Sequence, residues 1–185
     1  MNLLILYGSL EGQTKKISDR LAGIIRDKGH QVTAQSGEDL PATFSVDNFD
    51  AAILGGSIHM GKYPAYLNSF VASHRDWLNA VPSAFFTVCM AVNSANTKSR
   101  DEAKHYGDKL TAQTGWTPKL TQTFAGAVKY TQYNFFTRFI MRWISSREGG
   151  STDTSRDHEY TDWAAVERFA EDFIGVIEQQ GNKSG

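Results

Sequence analysis

Two hydroxyls and two glycines crowd residues 8–14, Gly8-Ser9-Leu10-Glu11-Gly12-Gln13-Thr14, between an apolar run and a helical one. That spacing suits anion binding. Ser9 and Thr14 can donate hydroxyl hydrogen bonds, and the free N–H groups and positive dipole end of a following helix converge on the same point. The elements needed to position them stand on either side. Leu3, Leu4, Ile5, Leu6 and Tyr7 make a continuous apolar run, as a strand covered on both faces requires. From residue 15 to 28 the spacing predicts a helix, with Ile17, Leu21, Ile24 and Ile25 on one stripe facing a sheet.

Absent patterns narrow the anion. There is no G-x-x-x-x-G-K-[ST], so no lysine is placed to reach a β- or γ-phosphate. There is no G-x-G-x-x-G, the dinucleotide fingerprint. Residues 9–14 instead resemble the flavodoxin pattern [ST]-x-[TSDE]-G-x-T, which in that family wraps the single phosphate of FMN. Ser9, Leu10, Glu11, Gly12, Gln13 and Thr14 are therefore the candidate phosphate loop. Glu11 stands where many members carry a hydroxyl, which leaves one phosphate contact to the backbone.

Two further strand ends point the same way. The buried run 49–55 ends in Gly56-Ser57-Ile58-His59-Met60-Gly61-Lys62, and a third strand over 84–88 runs into Cys89-Met90-Ala91. Ligands of open α/β sheets bind beyond the carboxyl ends of the strands. Ser57, Ile58, His59, Met60 and Gly61, with Val88, Cys89, Met90 and Ala91, are thus expected to cover a flavin ring. His59 is the candidate catalytic base; the competing reading has it hydrogen-bonding the cofactor or facing solvent. No metal site is expected.

The remaining pattern alternates strand and helix. Residues 31–35 read as a weak edge strand, 66–78 and 97–114 as helices, and 123–129 as a strong buried strand. A final helix over 162–180 is capped by Thr161 or Asp162. The predicted fold is flavodoxin-like α/β: five parallel strands with helices on both faces, in a single domain over residues 1–185. Net charge is −1, which argues against nucleic acid as a partner and against a strongly steered electron carrier. A single cysteine, with no signal segment opening the chain, leads to the expectation of a cytoplasmic protein. No apolar run approaches the roughly 20 residues that span a bilayer, so membrane contact is expected to be peripheral.

One stretch breaks the alternation. Residues 130–160 exceed an ordinary strand-to-helix connection. Phe135, Phe136, Phe139, Ile140, Trp143 and Ile144 make one helical stripe, and Lys129, Arg138, Arg142 and Arg147 supply four positive charges with no acid between 129 and 147. A basic, aromatic amphipathic element fits a membrane surface or the wall of a site for a bulky anionic, apolar ligand; it could equally dock as core.

The set SLEGQT, GGSIHMGKY, PSAFFTV, GAVKYTQYNFFTRFIMRWI and GGSTDT-x₅-YTDW resembles the menaquinone-dependent protoporphyrinogen oxidases, flavodoxin-like enzymes of bacterial haem biosynthesis. The resemblance runs in order from Leu3 to the final helix. It implies an FMN enzyme, peripheral on the cytoplasmic side of the inner membrane. Such an enzyme takes six electrons from protoporphyrinogen IX and passes them to menaquinone or ubiquinone. It also implies that Lys129, Arg138, Arg142 and Arg147, with Phe135, Phe139 and Trp143, serve substrate or membrane. A flavodoxin-type carrier, an NAD(P)H:quinone reductase and a module that has lost its flavin are the alternatives.

Overall fold

The computed structural model describes residues 1–128, 130–132, 146, 151 and 153–181. Strand β1 (Asn2–Gly8) has its apolar run wholly covered, because it sits second in a sheet and is flanked on both faces. Alternate side chains divide between two cores, as the twofold period of a strand demands. Leu3 and Ile5 join one cluster with Ile17, Leu21 and Ile25 of α1 (Gln13–Asp27). Leu4 and Leu6 join the other with Leu67, Phe70 and Val71 of α2 (Ala65–Ser73).

The sheet continues with β2 (Gln31–Ser36), β3 (Ala51–Ser57), β4 (Ser83–Val88) and β5 (Leu120–Phe124), in the order β2-β1-β3-β4-β5 and parallel throughout. This is the five-stranded flavodoxin-like sheet that the alternating pattern predicts. Gly55 makes the middle tight: a Cβ there would fall 2.1 Å from the Phe86 ring, so only glycine lets β3 and that ring pack.

The helical segments are more divided than their periodicity predicts. Residues 66–78 hold α2 and α3 (Arg75–Ala80), broken at His74, whose ring stacks on Phe70 with centroids 4.3 Å apart. Residues 97–114 hold α4 (Thr97–Lys104) and α5 (Tyr106–Thr114), broken at His105. Asn96 caps α4 by accepting from the N–H groups of Lys98 and Ser99, a local device that restarts the chain as helix.

The expected strand over 123–129 is corrected. The fifth sheet strand is β5, ending at Phe124, and it lies on the sheet edge with Thr121 and Gln122 exposed. After Ala125 and Gly126 the chain turns into β6 (Ala127–Val128), which pairs antiparallel with β7 (His158–Glu159). Apolar residues on both sides of Gly126 made one run in sequence, but they serve two sheets.

Helix α6 (Trp163–Gly181) closes the first core with Val166, Phe169, Ala170, Phe173 and Ile177. Asp162 is its cap, accepting from the N–H of Ala165 at 3.1 Å. The Thr161 hydroxyl instead donates to Ala125 O at 2.8 Å, tying the entrance of α6 to the end of the sheet. Among the described residues no helix is long and apolar enough to cross a membrane.

Candidate functional site

Strand order reverses between β1 and β3: the chain first steps outward to β2, then returns to the other side of β1. Both strands end in glycine-bearing loops there, and the loops diverge around a mainly apolar cavity of about 390 Å³. Such a switch point is where an open α/β sheet leaves a crevice.

The first wall is the turn into α1. Gly12 caps the helix at φ 84°, a left-handed conformation that glycine adopts without cost. Its N–H donates to Ser9 Oγ at 3.0 Å, which leaves the Ser9 hydroxyl hydrogen free to donate. No side chain caps α1 and no acid stands in its first turn. Lys15 is held by Asp19 at 2.7 Å and Lys16 by Glu159 at 2.5 Å, so the nearest lysines are drawn to other partners.

Thr14 decides what the turn is for. Its hydroxyl oxygen is buried, with the residue 1% exposed, and has no hydrogen-bond partner among the described residues. A buried polar atom left unpaired costs about 1–3 kcal/mol. Thr14 lines the cavity, beside the orphan N–H groups that every helix N-terminus presents. An external acceptor, anionic and small, satisfies all of them together.

Behind the turn runs a polar chain. Gln13 Nε2 donates to Thr161 Oγ1 at 2.8 Å, and Thr161 passes its hydrogen to Ala125 O. Burial alone would raise Glu159, but hydrogen bonds from Lys16 and Trp163 outweigh it and hold the carboxyl below its ordinary value. The start of α1 is thereby stitched to β7 and to the entrance of α6.

The second wall is the end of β3. Ser57, Ile58, His59 and Met60 line the cavity, and Gly61, at φ 77°, completes the turn that carries them back. The third wall follows β4: Val88, Cys89, Met90 and Ala91 line it, the last two within a single 3₁₀ turn (Met90–Asn93). Three strand ends separated by tens of residues thus meet around one space. Of the expected phosphate-loop residues, Ser9, Leu10, Glu11, Gln13 and Thr14 line the cavity, while Gly12 shapes it from behind.

Three lining residues escaped the sequence reading: Tyr106, Gly126 and Ala127. Tyr106 opens α5 just after the break at His105, and the run 97–114 contains no glycine or proline before that break to mark it. Burial, with Cys89 and Glu102 nearby, holds its phenol above the ordinary value, so it remains a neutral hydrogen-bond donor. Gly126 had a signal in the glycine itself; a Cβ there would come within 3.1 Å of Val88. Lys129, Phe135, Arg138, Phe139, Arg142, Trp143 and Arg147 lie outside the described residues. Among the described residues there is no cluster able to hold a metal ion.

Residues 4–155 match the family described as "Flavodoxin domain". Over 179 residues the chain is 31% identical to protoporphyrinogen IX dehydrogenase [quinone] of Escherichia coli (strain K12), covering 97% of this chain and 98% of that one. It is 36% identical over 177 residues to the protein of the same name from Leishmania major, covering 94% and 74%. The chain belongs to this flavodoxin-domain family of quinone-linked dehydrogenases.

Solved structures agree on the fold. A short-chain flavodoxin associated with a PDU bacterial microcompartment superposes with a TM-score of 0.53 at 12% identity, over 96% of this chain and 99% of that one. Oxidised flavodoxin 1 from Bacillus cereus gives 0.52 at 15% identity, over 95% and 98%. Family membership implies a flavin, and the donor set of the first wall fits one that carries a phosphate: uncharged donors, a helix N-terminus and a buried hydroxyl without a partner.

Proposed function

We propose that this chain is an FMN-dependent, quinone-linked protoporphyrinogen IX dehydrogenase that works peripherally on the cytoplasmic face of a membrane. Identity of 31% to a dehydrogenase of that name, spread over 97% of this chain and 98% of the relative, carries the reading. An oxidoreductase of this family follows from the likeness itself; FMN, the kind of quinone and the membrane contact are the finer parts of the proposal.

When bound, a flavin supplies the two-electron chemistry between porphyrinogen and quinone. The chain's own residues do the rest. Ser9, Thr14 and the first N–H groups of α1 would hold the phosphate. Ser57, Ile58 and Val88 through Ala91 would wall the ring and keep water from it. His59, exposed at the cavity's edge, is the candidate to take a proton released by the macrocycle. Because a quinone resides in lipid, the reading also needs a surface that meets membrane. The stretch 129–147, with four cations and no acid, supports that role from its composition.

The test is anaerobic mixing of the flavin-loaded protein with protoporphyrinogen IX, followed by a menaquinone or ubiquinone analogue. Flavin bleaching on the first addition and recovery on the second is the expected result. No bleaching with porphyrinogen but rapid bleaching with NADH or NADPH overturns the proposal in favour of a quinone reductase. Deleting residues 133–144 should leave the flavin bound while abolishing porphyrinogen oxidation and sedimentation with anionic vesicles; survival of both reduces that stretch to packing.

A further inference from the structure

Thr87, on β4, is 1% exposed and shares a hydrogen bond with Tyr63, the two hydroxyl oxygens 2.7 Å apart. Two hydroxyls bring two hydrogens, and only one lies in that bond. Burial pushes the Tyr63 phenol up, so it keeps its proton, and as the more acidic hydroxyl it is the donor. The hydrogen of Thr87 is left for another acceptor. Thr87 lines a second cavity, of about 290 Å³, between β4, β5 and the start of α5. None of its lining residues is shared with the cavity at the glycine loops, yet the two are adjacent. Thr87 and Gly107 line one, while their chain neighbours Val88 and Tyr106 line the other. A single layer of residues divides them.

The lining of the second cavity has a definite chemistry. Phe85 and Val92 give it an aromatic and an aliphatic wall, and Gly107 leaves the space opposite them unfilled. In register, Phe85 lies beside Thr121 and Thr87 beside Thr123, so three hydroxyls share the face that α5 covers. Lys104 and Asp108 stand exposed at the rim, one of each sign. Uncharged donors, a flat apolar wall and no net charge suit a flat, neutral ligand whose oxygens accept hydrogen bonds. The volume lies at the low end for ligand pockets, enough for a one- or two-ring headgroup and too little for a tetrapyrrole macrocycle.

We propose that this second cavity binds the quinone headgroup, with Thr87 and Thr123 donating to its carbonyl oxygens beside the Phe85 ring. The proposal rests on the reading that a quinone accepts the electrons. β5 is the edge strand of the sheet, so a lipid tail leaves the cavity past it. The quinone takes up two electrons and two protons and departs as the quinol. The reduced cofactor gives up the same number of each, the electrons crossing the dividing layer and the protons exchanging through solvent. Donor and acceptor substrates then occupy different cavities and need not take turns in one.

The experiment is equilibrium dialysis of menadione, a naphthoquinone without a tail, against the oxidised FMN-loaded protein, with and without saturating protoporphyrin IX. The result expected is saturable menadione binding whose affinity the porphyrin leaves unchanged. Gly107→Leu should weaken that binding at least about tenfold. Leucine is a good helix former, and a Cβ there meets Phe85 and Thr87 at 3.7 and 3.9 Å, ordinary contact, so the side chain grows into the cavity. Thr123→Val removes one donor from the edge strand and should weaken binding about two- to tenfold. Should Gly107→Leu fail to fold, Thr123→Val decides alone. In anaerobic stopped flow both variants should bleach with protoporphyrinogen IX as the wild type does and reoxidise more slowly at subsaturating menadione. Unchanged menadione affinity in the variants overturns the proposal and leaves the function intact. Competition by protoporphyrin seats the quinone in the first cavity and also overturns it. A wild type that protoporphyrinogen bleaches and no quinone reoxidises overturns the functional reading, and the proposal with it.

Discussion

The two loops at the sheet's switch point have opposite characters. The turn into α1 faces inward: Gln13 and Thr14 are buried, Gly12 takes the left-handed position at no cost, and Gln13 is fastened through Thr161 to the sheet. The turn after β3 faces outward: His59, Met60, Gly61 and Lys62 are exposed, and a methionine takes a position suited to glycine. One loop hides a polar group and the other displays an apolar one. Each violates the ordinary rule of burial, in opposite senses, and both do so at one cavity. The first violation suits a small anion seated at the start of α1; the second leaves an apolar side chain at the mouth of the same cavity.

The sharpest break of this comparison is removal of the hydroxyls from the inward loop. A neutral hydroxyl facing a phosphate is worth about 1.5–3 kcal/mol. Ser9→Ala with Thr14→Ala should therefore weaken FMN binding by at least about a hundredfold, read by fluorescence quenching on titrating apoprotein. Unchanged retention would remove the phosphate from this loop. Gly12→Ala comes next. A Cβ at φ 84° costs about 1–2 kcal/mol, and the shifted turn should loosen FMN about tenfold and lower the melting temperature. Met60→Asn tests the converse in the outward loop: its melting temperature should hold or rise, since asparagine tolerates the turn. A fall of several degrees would mean that Met60 packs after all.

The smallest effect concerns pH. Lys16 and Trp163 hold the Glu159 carboxyl below its ordinary 4.5 against the opposing pull of burial. A carboxyl depressed in the folded state stabilises the fold above its unfolded value, and that contribution fades as pH falls through the folded one. With both partners of the Lys16 pair substantially exposed, the gain is under about 1 kcal/mol. Glu159→Gln should cost that much at neutral pH and progressively less as the pH falls through the folded value, measured by urea unfolding at neutral and at acid pH. An equal cost at both would assign the effect to packing on Trp163.

How far the sequence carried this molecule depended on whether a signal was local. The loop 9–14 was legible because glycine, hydroxyl and helix start are adjacent, and β1 because its burial needs no partner to be recognised. Residues 88–91 were placed by the rule of strand ends. Tyr106 was not legible, because only the break at His105 turns it into the cavity, and no glycine or proline precedes that break in the run. The 123–129 run misled because apolar patterning reports burial and not which sheet does the burying; β5 and β6 share it across Gly126. The cap of α6 had two candidates, and long-range bonding separated them: Asp162 caps, while Thr161 reaches Ala125.

The measurement that tests the inward loop most directly is a pair of titrations on apoprotein, with FMN and with riboflavin, for wild type and Thr14→Val. Riboflavin has the ring without the phosphate. The account expects Thr14→Val to leave apoprotein stability unchanged or raised, because its hydroxyl has no partner there. It expects FMN affinity to fall about tenfold or more and riboflavin affinity to stay within twofold. Equal losses for both ligands, or none for either, would contradict a phosphate seated on the first turn of α1.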